Sequence, residues 1–325
     1  VFSAVRRQAL FTLAGLAAAA LLTASHAADN WPAKPIRIIV PTPPAGPSDI
    51  AVRPLAAAVQ KALGQAVIVE NRAGANGNIG AAEVARAPAD GYTWLWAMDP
   101  VLTVNKHIYK NIGYSSDAIV VLNAAARFSQ TLICNPGLGF KSVKDMLEAA
   151  KSRELTYATG GAGSPGHLVM ESLLSSTGVK MVHVPYKGPA PAMQDLMSGQ
   201  VNCGFLAAPT VLPQIQSGRV TALATSGRTR SPLLPTLPTI AESGYPDFDG
   251  TYWLLLAAPK GVPAEIQKRF LAAMDAAIRS PQQQERVKAV DIEMVGSSPE
   301  QAQARVREIS TKWEALARKI NLKPD

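Results

Sequence analysis

The chain has 325 residues, of which 47% are hydrophobic and 17% charged, so it contains enough apolar side chains for real cores and is not intrinsically disordered. Its 32 Lys and Arg residues against 24 Asp and Glu residues give a formal net charge of +8, which favours anionic ligands. The basic residues are scattered and are not interleaved with aromatic ones, so nucleic acid is disfavoured as a partner.

The N-terminal segment has the layout of a secretory signal. Arg6 and Arg7 form a short basic region, an apolar run covers residues 9–22, and a small-residue cleavage site ends at Ala27. We therefore expect residues 1–27 to be a signal peptide, the mature chain to begin near Ala28, and the protein to reach the periplasm. An uncleaved anchor is the alternative, although the run is shorter than the roughly 20 apolar residues of a membrane-spanning helix.

Beyond this segment, short apolar strands alternate with amphipathic helices. The predicted strands cover residues 36–40, 67–69, 93–97, 124–134, 155–158, 180–184, 201–206, 220–225 and 253–257. The predicted helices cover residues 48–63, 76–87, 143–151, 167–175, 189–198, 264–279 and 299–320. Strands that alternate with helices of this length indicate parallel α/β sheets.

These elements fall into two blocks of βα units. Residues 28–127 carry the first block, residues 128–227 carry the second, and residues 228–325 return to the first. A chain that crosses twice between two α/β blocks is built like a hinged clamp. We therefore expect two α/β lobes with a ligand cleft between them.

Two apolar, strand-like runs each contain one cysteine, Cys134 and Cys203. Export would permit a disulfide between them, and two buried free thiols are the alternative. The sequence leaves both open. With no CxxC motif and no cluster of His and Cys, it gives no support for a metal site.

The sharpest local motif is a glycine-rich loop that follows a predicted strand and opens a helix. Gly161, Gly163 and Gly166 match the G-x-G-x-x-G pattern of dinucleotide-binding turns. No Asp or Glu ends the next strand to take a ribose hydroxyl, so a dinucleotide cofactor is disfavoured. The exposed backbone N–H groups at a helix N-terminus still suit an anion, and Ser164 adds a hydroxyl. The alternative is that the glycines only make a tight turn.

The turn after the first strand has the same design. Gly46 precedes a helix, with Ser48 or Asp49 as the expected cap. In open parallel sheets, ligands bind outside the carboxyl ends of the strands. We therefore expect the two turns, one in each block, to face each other across the cleft and to bind an anion together.

Catalytic residues are hard to find in the predicted mature chain. Its histidines are His107, His167 and His183, and no nucleophile elbow surrounds Ser164. No pair of carboxylates stands out as an acid and a base. His167 either reaches the ligand or bonds its neighbours, and Tyr186 either lines the cleft or does not. The residues by themselves therefore give little support for catalysis and indicate an exported two-lobed α/β protein with anion-binding loops.

Several further stretches together resemble the substrate-binding proteins of tripartite tricarboxylate transporters, also called the Bordetella uptake gene or Bug family. The resemblance covers nearly all of the predicted mature chain, and the order and spacing of the stretches make it specific. The matching stretches are residues 31–37 (WPAKPIR), 69–72 (VENR) with Gly74, Gly77 and Gly80, 90–93 (DGYT), 160–167, 183–188 (HVPYKG), 195–199 (DLMSG), 237–244 (LPTIAESG) and 258–259.

The resemblance implies a type II periplasmic-binding-protein fold whose lobes close on a small carboxylate, held largely by backbone N–H groups and water. It implies transfer of the ligand to transporter membrane subunits, no cofactor and no catalytic or metal residues. We also expect a monomer. The ligand-binding residues it implies here are Thr42, Pro44, Ala45, Gly46, Ser48, Asp49, Gly161, Gly163, Ser164, His167, Tyr186 and Leu206.

Two departures from the family pattern bear on the ligand. Pro47 removes an N–H donor that glycine would supply, and Leu206 stands where the family often has Asp. Leucine cannot pair with a ligand ammonium group, so an apolar or aromatic carboxylate or a simple dicarboxylate fits better than an amino acid. The alternative functions are a sensory module that presents its ligand to a membrane receptor kinase, and an exported enzyme that acts on a carboxylate.

Overall fold

The structure, a computed structural model, describes residues 30–320. The predicted signal peptide and its cleavage site lie outside the described residues. Among the residues described, no helix is both long enough and apolar enough to cross a membrane.

Strands and helices alternate along most of the described chain. The strands are β1 Ile36–Val40, β2 Val67–Asn71, β3 Thr93–Met98, β4 Ile119–Phe128, β5 Gln130–Cys134, β6 Thr156–Thr159, β7 Val182–Pro185, β8 Cys203–Ala207, β9 Thr221–Thr225, β10 Tyr252–Pro259 and β11 Ile292–Met294. The helices are α1 Pro47–Leu63, α2 Asn78–Ala85, α3 Pro100–Thr103, α4 Asn105–Ile108, α5 Val143–Ser152, α6 Pro165–Thr177, α7 Pro189–Ser198, α8 Ala208–Gln216, α9 Ala264–Arg279, α10 Pro281–Lys288 and α11 Pro299–Lys319.

The strands form two sheets of similar topology. The six-stranded sheet has the order β11-β4-β10-β3-β1-β2, and the five-stranded sheet has the order β7-β6-β8-β5-β9. In the first sheet β1 is parallel to β2 and β3, whereas β10 is antiparallel to β3. In the second sheet β6 is parallel to β7 and β8, whereas β5 is antiparallel to β8. Both sheets are therefore mixed, although the sequence pattern indicated parallel sheets; the predicted division into two α/β sheets is present.

We call the part built on the first sheet the first lobe and the part built on the second sheet the second lobe. The antiparallel strand β5 follows β4 of the first lobe after one residue, and β10 follows β9 of the second lobe after the connection formed by residues 226–251. The lobe boundaries predicted from sequence, at residues 127/128 and 227/228, remain a prediction.

The chain passes into the second lobe at one residue, Ser129, between β4 and β5. The long extended segment predicted over residues 124–134 is extended in the structure, but it divides at Ser129 into β4 and β5, which belong to different sheets. The apolar run contains no proline or glycine at this point, so its pattern gives no sign of the crossing.

Ser226 hydrogen-bonds both to the segment that enters the second lobe and to the segment that returns to the first lobe. Its Oγ accepts a hydrogen bond from the Gln130 N–H at 2.8 Å and donates one to the Gly250 carbonyl at 2.9 Å. The Gly250 N–H in turn donates to the Ser226 carbonyl at 2.7 Å. Three segments are therefore tied together where the two lobes meet.

The second lobe also carries a disulfide, which decides between the alternatives that the sequence left open. Cys134 on β5 and Cys203 on β8 are directly opposite in the antiparallel register and are bonded. The bond joins β5, the strand that enters the second lobe, to β8, the middle strand of the five-stranded sheet.

Candidate functional site

The predicted ligand turns lie at the carboxyl ends of parallel strands in both lobes. The first turn, residues 41–48, follows β1 and leads into α1; the Gly loop, residues 160–164, follows β6 and leads into α6. Each turn therefore delivers the N-terminus of a helix to the carboxyl edge of its sheet. The first N–H groups of a helix have no partner within the helix, so both turns can offer donors to an anion.

The first turn is held by a charged network in its own lobe. The Asp49 carboxylate accepts from the Ala45 N–H at 3.1 Å and from Arg53 Nε at 2.9 Å. It also accepts from Asn71 Nδ2 at 3.0 Å, and the same nitrogen donates to the Thr42 carbonyl at 3.0 Å. The Asp49 carboxylate therefore holds the first turn in shape through donors of its own lobe.

This network also fixes the charge of Asp49. Burial by itself would raise the pKa of its carboxyl, but the hydrogen bonds from Arg53, the Ala45 N–H and Asn71 outweigh burial and lower the pKa. Ala45 adopts a positive φ of 64°, which an L-residue rarely adopts. The bond from its N–H to Asp49 accounts for how the turn keeps that conformation.

The Gly loop is held by neutral groups instead. The Gly163 N–H donates to His167 Nδ1 at 3.0 Å, so that nitrogen carries no proton. The Ser164 N–H donates to the Gly161 carbonyl at 3.1 Å. A Cβ at Gly166 would lie 2.2 Å from the Phe205 carbonyl oxygen, so the start of α6 sits directly on the backbone of β8. Glycine is therefore required there by close approach.

A stack of rings supports His167 from below. Its ring lies on that of His183 at a centroid distance of 3.8 Å, and the His183 ring lies on that of Tyr157 at 5.0 Å. Burial, followed by the nearby His183, lowers the pKa of His167 to about 3. His167 is therefore neutral at physiological pH and serves as an acceptor for the loop.

Three predicted site residues share one property that a purely structural role does not explain. The hydroxyl oxygens of Thr42, Ser48 and Ser164 are buried, and none has a hydrogen-bond partner among the described residues. Ser164 is the N-cap of α6 but makes no side-chain cap bond. An unpaired buried hydroxyl costs roughly 1–3 kcal/mol. A bound group with several acceptor oxygens would supply the missing partners at both turns.

The other predicted residues are placed less directly. The Tyr186 hydroxyl donates to Asp195 Oδ2 at 2.6 Å, on α7 of its own lobe. Leu206 is buried in a small apolar cluster that includes Met193 and Leu196, and Tyr186 packs against the same cluster. Pro44 is exposed on the first turn. The structure thus brings Gly46, Ser48, Gly161, Gly163 and Ser164 to helix N-termini, while Leu206 packs in the second-lobe core.

Asp99 is a buried carboxyl at the carboxyl end of β3 that the sequence pattern did not single out. Its Oδ1 accepts from the Trp253 N–H at 2.8 Å, and its own N–H donates to the Trp253 carbonyl at 2.9 Å. Burial raises its pKa to about 7. Asp99 therefore links the end of β3 to β10 through hydrogen bonds. Its titration contributes to the pH dependence of stability.

Two other residues that the sequence reasoning missed, Asn76 and Tyr252, connect the lobes. Asn76 Nδ2 donates to the Gly163 carbonyl at 3.0 Å, and the Tyr252 hydroxyl donates to the Pro165 carbonyl at 2.9 Å. The only sequence signal for Asn76 was its place between glycines in residues 74–80, and Tyr252 gave none. Contacts between distant segments leave no trace in local periodicity.

Two surface cavities lie away from both turns. One, of about 560 Å³, is lined by residues that include Asn135 and Arg219; the other, of about 140 Å³, is lined by residues that include Lys106 and Tyr114. None of the unpartnered buried polar atoms of the described chain lies among their lining residues. The two turns therefore remain the candidate site. The part of the chain that is described also contains no group of His, Cys, Asp and Glu side chains that could hold a metal ion.

Comparison with known proteins identifies the family to which the chain is similar. A sequence profile of the tripartite tricarboxylate transporter family receptor matches residues 51–322. The chain is 34% identical over 310 residues to protein BugT of Bordetella pertussis (strain Tohama I), which covers 94% of this chain and 95% of that protein.

Solved structures show the same similarity in three dimensions. The periplasmic binding protein BugD shares 33% identity with a TM-score of 0.81, covering 91% of this chain and 100% of that one. Rpa4515 of R. palustris, solved with adipate, shares 32% identity with a TM-score of 0.84 and the same coverage. These matches confirm the resemblance drawn from sequence and the two-lobed α/β fold of the type found in periplasmic binding proteins.

Proposed function

This chain belongs to the tripartite tricarboxylate transporter receptor family, and from that premise we propose that it captures a small carboxylate for the membrane subunits of such a transporter. Members of the family and its structural neighbours are binding proteins, so this chain is a solute-binding protein and not an enzyme. The proposed ligand is a dicarboxylate or an aromatic acid. In this proposal the lobes, residues 28–127 with 228–325 and residues 128–227, close on it in the periplasm.

One observation carries the choice of a carboxylate. Thr42, Ser48 and Ser164 present buried hydroxyls without acceptors beside two helix N-termini. All of these groups can donate, and the positive end of a helix favours negative charge. A carboxylate offers two oxygens with about four acceptor sites, which suits such a set of donors.

The class of carboxylate is proposed from the neighbours and from the surrounding charges. Rpa4515 was solved with adipate, a dicarboxylate, and its structure matches 91% of this chain. An amino acid would need an anionic partner for its ammonium group. Leu206 is apolar, and the Asp49 carboxylate is already paired with Arg53 at 2.8 Å. Tight binding of aspartate or glutamate would contradict this part of the proposal.

The first test is a thermal-shift screen of residues 28–325 against mono-, di- and tricarboxylates, aromatic acids and amino acids. A ligand present at 100 times its dissociation constant should stabilise the protein by about 2.7 kcal/mol, which raises Tm by several degrees. Hits are then measured by isothermal titration. If no acid shifts Tm, even after the protein has been unfolded and refolded to release bound metabolite, the carboxylate proposal is wrong.

Two serine variants separate the site from the rest of the second lobe. Ser164→Ala should weaken binding of the best acid about 10-fold or more, since a hydrogen bond to a charged group contributes roughly 1.5–3 kcal/mol. Ser142→Ala is the control, because Ser142 Oγ caps α5 by accepting from the Asp145 N–H at 3.1 Å. The control should lower stability without changing affinity.

Export and transport need their own tests. Expressed from the full chain, the protein should appear in the periplasmic fraction with a mass that corresponds to a start near Ala28. Loss of uptake of the identified acid on deletion of the protein, restored by the wild type but not by Ser164→Ala, would support the transporter role. Unchanged uptake would favour a sensory role for the same binding protein.

A further inference from the structure

Each lobe-to-lobe hydrogen bond at the Gly loop ends on a backbone carbonyl next to Ser164. Asn76 Nδ2, from the turn before α2 in the first lobe, donates to the Gly163 carbonyl at 3.0 Å. The Tyr252 hydroxyl, from β10 in the first lobe, donates to the Pro165 carbonyl at 2.9 Å. The first lobe therefore contacts the carbonyl groups of both chain neighbours of Ser164, the residue whose buried hydroxyl has no partner in the described protein.

Asn76 is held ready for this contact within its own lobe. Its Nδ2 also donates to Asn105 Oδ1 at 3.0 Å, and Asn105 Nδ2 donates back to the Asn76 carbonyl at 2.9 Å. Asn105 Nδ2 donates further to Asn78 Oδ1 at 2.8 Å. The backbone of Asn76 lies in the left-handed region, with φ 50° and ψ 37°, where Asn is one of the few tolerated L-residues. Its second amide N–H therefore points at the second lobe without further ordering.

Tyr252 is held ready in a different way. It is fully buried at the start of β10, where it pairs with Phe128 of β4. Its ring stacks on Trp313 of α11 at a centroid distance of 5.7 Å and lies 6.0 Å from the Phe128 ring. Burial and packing leave the hydroxyl as the one mobile part of the side chain. A rigid tyrosine of this kind loses little conformational entropy when it bonds another element.

We propose that Asn76 and Tyr252 form a two-point latch of the first lobe on the Gly loop, which holds the lobes closed and fixes the Ser164 hydroxyl toward the ligand. Neither residue is assigned a ligand contact, so both are positioning residues. The inference rests on the proposed carboxylate site for its functional consequence, but not for the closure itself. Because the latch acts on the loop that binds the acid, ligand binding and latch formation stabilise each other.

The latch is tested with variants that remove one donor and change little else. Asn76→Gly deletes the amide and tolerates φ 50°, and Tyr252→Phe deletes only the hydroxyl. Each variant has a matched control. Ala75→Gly gives the same turn the same freedom at the neighbouring φ of 46°. Tyr114→Phe removes a hydroxyl that donates to the Val101 carbonyl at 3.1 Å inside the first lobe.

Two readouts need no ligand. Hydrogen exchange of backbone amides in residues 161–168 should become faster in both latch variants than in the wild type, and small-angle scattering should show a larger radius of gyration. The controls should match the wild type in both measurements. If exchange and scattering of Asn76→Gly and Tyr252→Phe equal those of the wild type, or if the controls change equally, the latch is refuted even if the protein binds acids.

Affinity provides the third readout once an acid is known. Each latch variant should raise Kd about 3- to 10-fold, the factor expected for one typical hydrogen bond, mainly through faster dissociation. If the wild type binds no acid, the proposed function fails, while the exchange and scattering results still decide on the latch. If the wild type binds and the variants bind equally well, the proposed function stands and the latch is wrong.

Discussion

The first turn and the Gly loop each connect the carboxyl end of a parallel strand to the N-terminus of a helix, but different interactions hold them in shape. The first turn rests on the ion pair of Asp49 and Arg53, with every partner in its own lobe. The Gly loop rests on neutral hydrogen bonds to His167 below and to Asn76 above, and Asn76 belongs to the other lobe. The first turn is therefore complete before the lobes meet, whereas the Gly loop is completed by their meeting.

Under the proposed function, this difference gives the two lobes separate roles in ligand capture. A preformed turn can bind one end of an anion while the cleft is open. A loop that needs the opposite lobe then adds its donors only on closure, which makes closing favourable when a ligand is present. A variant that removes an interaction holding one turn should therefore alter the conformation of that turn and leave the other turn unchanged.

The largest expected effect comes from the disulfide, which supports the second lobe alone. Replacing Cys134 and Cys203 by Ala should lower the free energy of unfolding by about 4 kcal/mol, because the bond closes a long loop in the unfolded chain. Thermal unfolding followed by hydrogen exchange should show β5 and β8 opening first while β1 and β3 stay protected. Uniform loss of protection in both lobes would show that the lobes do not differ in this way.

A glycine pair tests how closely each turn is packed. At Gly166 a Cβ would meet the Phe205 carbonyl at 2.2 Å, whereas at Gly46 the nearest atom is the Pro43 carbonyl at 3.8 Å. Gly166→Ala should therefore cost about 3 kcal/mol in stability through overpacking, and Gly46→Ala should stay within about 0.5 kcal/mol. Chemical denaturation measures both. Equal costs would mean that α6 can shift on β8 and that the Gly loop is not tightly seated.

The same pair of turns shows what the sequence could reveal. Local patterns located both of them, because a strand end, a glycine-rich turn and a helix start are neighbours in the chain. The expected cap at Ser48 or Asp49 was wrong, because Pro47 already lies in α1 and Gly46 is its N-cap. The ligand contact expected of Ser164, whose hydroxyl is buried without a partner among the described residues, stays a prediction. Signals of this kind depend only on residues close in sequence.

What the sequence could not give depends on contacts between distant segments. Asn76 and Gly163 are 87 residues apart, and so are Tyr252 and Pro165. At Ser129 the chain passes from the first sheet to the second within one apolar run. The run continues across this residue because the strands on both sides of it are largely buried. The ligand role predicted for Asp49 stays a prediction, and the contacts of its carboxylate with Arg53 and Asn71 were not apparent from the sequence.

A smaller effect is expected when the charged support of the first turn is neutralised. Asp49→Asn keeps the shape of the side chain but replaces one acceptor oxygen with a donor that faces Arg53, Asn71 or Ala45. Stability should fall by about 1–2 kcal/mol, less than for a fully buried pair because the Arg53 side chain is half exposed. The loss should shrink in 1 M salt, and Arg53→Met combined with Asp49→Asn should cost less than the sum of the single changes.

The smallest expected effect separates the two turns by pH. The pKa of His167 is lowered to about 3 in the folded protein, so between pH 3 and about 6.5 the unfolded chain binds the proton more readily and stability falls as pH decreases. Asp49 has a lowered pKa too, but its contribution is lost only below its ordinary value near 3.8. Between pH 7.5 and 5.5, His167 should therefore make the stability of the Gly loop depend on pH, while Asp49 should add no pH dependence to the first turn.

His167→Asn isolates this contribution, because Asn can still accept the Gly163 N–H but does not titrate near neutral pH. Between pH 7.5 and 5.5 the wild type should lose about 1 kcal/mol more stability than the variant. Asp99, with its pKa raised to about 7, acts in the opposite sense, since its protonated form is favoured in the folded state as pH falls. The slope must therefore be read as a difference between the two proteins, and Asp99→Asn in both backgrounds should leave that difference intact. If the stability of His167→Asn depends on pH as steeply as that of the wild type, His167 is not the neutral support of the Gly loop. The proposed contrast between the two turns then fails for the Gly loop.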